Sequence, residues 1–134
     1  MVAAVLSGRG LISPAASAAE TTPTPEPAGS EDYGGLPEGP GRDAVYFNCT
    51  ACHSLDGSKK VGPSFKNLAC SERQFADGST GVADDAYLLE SILEPNKKIA
   101  KGYPPAMPPM GGTLSRSKID SAIMFLKTQS EACK

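Results

Sequence analysis

Two cysteines and a histidine in the run Cys49-Thr50-Ala51-Cys52-His53 constrain this chain more than any other feature. Thiols three residues apart lie on roughly one side of a short helical turn, where they can add to the two vinyl groups of one porphyrin as thioethers. C-x-x-C-H is the attachment spacing of a c-type haem. His53 is then carried beneath the macrocycle, where its imidazole can ligate the iron. A covalently held haem needs no large apolar pocket. The composition suits such a group, because aromatics are 6% of the chain and tryptophan is absent, so a conventional core would be thin. Other uses of C-x-x-C fit less well. A redox dithiol favours a βαβ pattern that the chain lacks. A zinc site wants a second ligand pair, and His53 is the sole histidine.

The length, 134 residues, leaves room for one domain and a tail. A net charge of -2 argues against nucleic acid as the main partner. That charge is uneven: residues 1–48 hold six acids against Arg9 and Arg42, so the remainder, which contains the haem motif, is mildly basic. Cys70 and Cys133 remain outside the motif, a pair that an oxidising compartment would allow to bridge. Haem attachment of this kind takes place outside the bacterial cytoplasm, which points to a periplasmic or otherwise exported protein. Residues 1–18 read as a candidate leader, apolar and ending in Ala16-Ser17-Ala18, although no positive run precedes them and Gly8-Arg9-Gly10 interrupts them. No stretch reaches the roughly 20 apolar residues that a membrane span needs.

Residues 19–40 are dense in Pro, Gly, Thr and acids, and predict a disordered or extended linker. The folded domain is expected over 41–134, all-α, with short helices wrapped round one haem. A short helix over 43–48 feeds the haem motif, and Gly41 suits a close helix–helix approach. Residues 69–83 predict a turn-rich insert centred on Asp77-Gly78-Ser79-Thr80-Gly81, and nothing reads as a strand. A second helix begins at an Asp84 or Asp85 cap, repeats apolar residues through Leu88, Leu89, Ile92 and Leu93, and stops at Pro95. The last helix takes Ser115 as N-cap, Leu114 and Ile119 as a hydrophobic staple, and Ile119, Ala122, Ile123 and Leu126 as its buried stripe. Met124 reads as core packing.

With no second histidine, the face opposite His53 is left to Met, Lys, Tyr or an open position. Met107 and Met110 stand in the loop between Lys97 and Gly112 among Pro104, Pro105, Pro108 and Pro109. Proline fixes φ and restricts its predecessor, so such a loop can present a thioether rigidly.

Residues 41–134 resemble a class I cytochrome c, closest to the domain fused to subunit II of some bacterial haem–copper oxidases. The resemblance rests on Cys49 to His53, Val61-Gly62-Pro63-Ser64-Phe65-Lys66-Asn67-Leu68, Glu94-Pro95-Asn96, Gly102-Tyr103-Pro104-Pro105-Ala106-Met107-Pro108-Pro109, and the insert from Ser71 to Thr80. It implies that Cys49, Cys52, His53, Pro63, Tyr103 and Met107 contact the haem, with His53 and Met107 as axial ligands. The Pro63 carbonyl would accept the His53 Nδ1 proton. It also places Cys70 near the end of the last helix, where Cys133 could bridge to it. Two positions depart from the pattern. Val45 replaces a larger aromatic that packs on the last helix, with Tyr46 or Phe47 to compensate, and Cys70 replaces a glycine.

The implied function is a mono-haem electron carrier between redox proteins, a terminal oxidase among the candidates. The loop lysines Lys59, Lys60, Lys97, Lys98 and Lys101 are either docking charges for an acidic partner or ordinary solvated residues. Two alternatives compete: a haem-c domain or subunit of a larger respiratory complex, and a haem enzyme with an open distal site. The upstream copper domain of the oxidase relatives is missing from this sequence.

Overall fold

A computed structural model describes Gly10 and residues 33–134. The leader expected over 1–18 and most of the linker expected over 19–40 fall outside the described residues, Gly10 apart. Three α-helices form the frame of what is described: α1 (Arg42–Cys49), α2 (Asp85–Leu93) and α3 (Arg116–Thr128), with a short 3₁₀ turn at Glu131–Cys133. Among the described residues no helix is long and apolar enough to cross a membrane.

Helix α1 crosses α3, and Gly41 makes the crossing possible. It caps α1 at φ 80, and a β-carbon there would collide with the carbonyl of Ser121 in α3. Only glycine meets both demands at low cost. Asp84 caps α2 by accepting the Tyr87 amide at 2.8 Å, and Ser115 caps α3 through the Lys118 amide at 3.4 Å. The stripe Ile119, Ala122, Ile123 and Leu126 is buried with Phe125 against Ala44, Val45, Leu68 and Leu88, and Leu114 packs on the same core. Each large apolar side chain so buried contributes about 1.5–3 kcal/mol.

The structure departs from the sequence expectations in four places. The insert contains two strands, β1 (Glu72–Gln74) and β2 (Thr80–Val82), paired antiparallel with Arg73 opposite Gly81. Its turn is built by Gly78 at φ 87 and by Asp77, whose carboxylate accepts from the Ser79 amide and hydroxyl. Phe75, just beyond β1, is buried and bridges to Ala100. The Ala76 amide donates to Ile99 and the Lys101 amide to Gln74, so the hairpin anchors the base of the Pro-rich loop.

Met124 is not core packing: it is 54% exposed, because it lies outside the arc that Ile119, Ile123 and Leu126 turn inward. Within 33–40, expected in the linker, Tyr33 and Leu36 pack on the domain while the other six residues are exposed. Tyr33 stacks edge-on with Tyr46 and Phe47 under the Arg42 guanidinium, and Leu36 sits against the core. Phe47 does not stand in for an aromatic at position 45. It is 68% exposed, whereas Val45 itself is fully buried, so a small residue at 45 suits the tight α1–α3 crossing.

Candidate functional site

The C-terminal end of α1 delivers the first half of the site. The Cys52 and His53 amides both donate to the Cys49 carbonyl, at 3.1 and 2.9 Å, which winds the chain through a tight turn. Neither cysteine is in a disulfide; Cys49 is half-buried and Cys52 exposed. Burial first, and then neighbouring Cys52, push the Cys49 thiol up to about 11 as long as its sulfur is unmodified.

His53 is held from three sides. Its Nδ1 lies 2.6 Å from the Pro63 carbonyl. A carbonyl can only accept, so Nδ1 carries the proton and Nε2 keeps its lone pair. The Phe65 ring stacks on the imidazole with centroids 4.4 Å apart and planes 13° apart. Gly62 passes so close that a β-carbon would collide with the ring. Its amide donates to Cys52 at 2.8 Å, and the Phe65 amide donates to Ser54 at 2.7 Å. Burial holds the His53 imidazole below its usual range, opposed by the Pro63 hydrogen bond and aided by Lys60, so the ring is neutral near pH 7.

One predominantly apolar cavity gathers Cys49, Cys52, His53, Pro63, Tyr103 and Met107. Met110 lines it too, but the two methionines are placed differently. The Met110 amide donates to Ile92 in α2, and its carbonyl accepts from Thr113 and Leu114 on the way to α3. Met107 makes no hydrogen bond among the described residues and stands between Ala106 and Pro108, half-buried.

Chemically, these residues fit a covalently attached haem: two unpaired thiols, a neutral imidazole with a free Nε2, and a thioether facing one apolar space. Among the described residues no cluster of three or more His, Cys, Asp or Glu offers another metal site. The remaining cysteines are spent, Cys70 being joined to Cys133 by a disulfide with Cα atoms 5.2 Å apart.

The loop lysines divide. Lys97 pairs with Glu90 at 2.8 Å and Glu94 at 3.1 Å, and Lys98 pairs with Glu90 at 2.7 Å. Lys60 donates to the Thr50 carbonyl, Lys59 lies 5.6 Å from the Tyr103 ring centre, and neither Lys60 nor Lys101 has an ion pair among the described residues. Three features were missed from sequence: the Glu90 clamp, the stacking of Phe65 on His53 and the packing of Tyr33. The clamp alone had a signal, since Glu90 and Glu94 stand one turn apart just before two lysines.

The sequence model of the family described as Cytochrome c matches residues 40–130. No curated protein matches the chain.

Proposed function

The chain belongs to the cytochrome c family, and we propose that it carries single electrons on one covalently attached haem c, with His53 and Met107 as the axial ligands. Its fold is the all-α class I cytochrome c type, and such proteins are electron carriers rather than enzymes.

The observation that carries the reading is the convergence of Cys49, Cys52, His53 and Met107 on one apolar cavity while Cys70 and Cys133 are bridged to each other. In this reading Cys49 and Cys52 hold the porphyrin by thioethers, and Pro63 and Phe65 fix the tautomer and plane of the His53 ring. Tyr103 closes one wall, and the prolines aim Met107 across the cavity from His53. When bound, the haem supplies iron(III)/iron(II) cycling, and a coordination sphere filled by two protein ligands leaves no place for substrate. Met107 is favoured over Met110 because the Met110 backbone belongs to the wall between α2 and α3.

The partners are redox proteins. The motifs resembling the oxidase-fused domains, above all the insert that forms β1 and β2, support a terminal oxidase or another respiratory complex as one of them. Haem attachment together with a disulfide supports an exported location. Lys59, Lys60 and Lys101 are the docking charges, because Glu90 and Glu94 compensate Lys97 and Lys98.

Stopped-flow reduction and oxidation against candidate partners, with ionic strength varied, tests the carrier role. Rapid transfer with low-spin iron in both oxidation states is expected. A high-spin, five-coordinate reduced spectrum that changes on adding carbon monoxide would overturn it in favour of the open-site enzyme.

A further inference from the structure

The end of the chain returns to the His53 side of the site. Ser130, wholly buried, donates its hydroxyl to the Ala69 carbonyl at 2.5 Å. The Glu131 amide donates to the Asn67 side chain at 3.1 Å, and Cys133 is bridged to Cys70. All three ties converge on residues 67–70. Asn67 and Cys70 both stand at positive φ, 52 and 62; asparagine adopts that region readily, and cysteine does not. A β-carbon crowds the backbone in this region, so the turn needs outside support. Cys70 occupies the position where glycine would be at ease.

The turn in turn supports the site. The Leu68 amide donates to Phe65, and the Ser71 amide and hydroxyl both donate to Leu68. Phe65 and Leu68 are buried, and Phe65 is the ring stacked on His53. We propose that Ser130, Glu131 and the Cys70–Cys133 bridge form a clamp whose task is to position His53. They hold the turn at 67–70, the turn holds Phe65, and Phe65 sets the plane of the imidazole and keeps its Nδ1 on the Pro63 carbonyl. Cys70, Cys133 and Ser130 are thus positioning residues for the axial ligand. The inference rests on the reading of His53 as that ligand.

A local clamp and a general staple differ in where their loss is felt. The test uses the haem-loaded reduced protein, the variant Cys70→Gly with Cys133→Ser, and separately Ser130→Ala. Glycine accepts the positive φ at position 70, so the first variant removes the bridge without adding strain. Ser130→Ala leaves the bridge and removes only the hydroxyl. Hydrogen exchange is followed by NMR at His53 Nδ1 and at the Phe65 and Leu68 amides, with Val45 in α1 and Ile119 in α3 as references, and the reduction potential is measured alongside. Both variants are expected to speed exchange about tenfold or more at His53, Phe65 and Leu68, leave the references within about twofold, and shift the potential. Equal acceleration at all five positions would show general stabilisation only and overturn the clamp, as would no change. A His53 ring without the shifts of an iron-bound imidazole, in the parent protein, would instead refute the ligand reading and the clamp with it.

Discussion

On the His53 side of the cavity the chain from Cys49 to Leu68 is tied by repeated backbone hydrogen bonds, and the imidazole itself is bonded, stacked and sterically confined. On the Met107 side the chain from Lys101 to Met110 is anchored at its ends, through Gln74 and Ile92, with the Tyr103 and Ala106 amides making only local bonds between. Four prolines, which fix φ and donate nothing, supply the stiffness there. His53 is therefore positioned by a network of hydrogen bonds, stacking and close backbone contact. Met107 is positioned by restricting what the backbone can do, and if it is the second ligand, as proposed, its side is the one on which ligand exchange is expected.

The sharpest way to break the His53 side is Gly62→Ala. The added β-carbon must displace the imidazole, at a cost of about 2–3 kcal/mol. Denaturant unfolding should show that loss, and the spectrum should show a disturbed axial ligand. A variant with parental stability and spectrum would mean the ring has room to move. On the Met107 side, Pro105→Ala should cost only about 0.5–1 kcal/mol, since the effect is mostly greater freedom of the unfolded chain. It should nevertheless make Met107 easier to displace by added imidazole, a titration to which the His53 side is blind.

The rims of the two sides also differ in charge. Lys59→Ala with Lys60→Ala should slow association with an acidic redox partner several-fold at low salt. Lys97→Ala with Lys98→Ala should do less, because Glu90 and Glu94 already offset those charges. Equal effects in stopped-flow would mean the ion pairs of Lys97 and Lys98 with Glu90 and Glu94 open on docking.

The smallest effect concerns pH. Hydrogen bonds from Lys97 and then Lys98 hold the Glu90 carboxyl below the usual Glu range. A depressed folded value means the carboxylate form stabilises the fold above the unfolded Glu range, near 4.3. That contribution disappears as pH falls through the lower, folded value. Glu90→Gln should flatten this small acid slope in melting curves. An unchanged slope would place the acid sensitivity elsewhere.

Much of the frame could be read from the chain because the relevant signals are local. Ser115 and Asp84 cap helices by their own side chains, and the spacing of Ile119, Ala122, Ile123 and Leu126 is one face of α3. Gly41 was legible because a close helix–helix approach demands glycine, and its positive φ adds a second demand that the sequence did not show. The strands were not: each has three residues, exposed at both ends, and the pairing of Glu72 with Val82 leaves no apolar alternation to see. Met124 misled because apolarity was read without its angular position on the helix. Tyr33 and Leu36 were hidden by the Pro- and Gly-rich composition around them. Of the site, Cys49, Cys52 and His53 follow from spacing. Phe65 stacks on His53 next to a turn at 67–70 that is tied to the far C-terminus, and such long-range contacts leave no local mark.

The distal ligand is the claim on which the two-sided account turns, and the near-infrared spectrum of the oxidised protein tests it most directly. Met107→Ala should abolish the sulfur-to-iron charge-transfer band and lower the reduction potential, while Met110→Ala keeps the band and loses only packing. Loss of the band in Met110→Ala with its survival in Met107→Ala would contradict the account and move the ligand to the α2 wall.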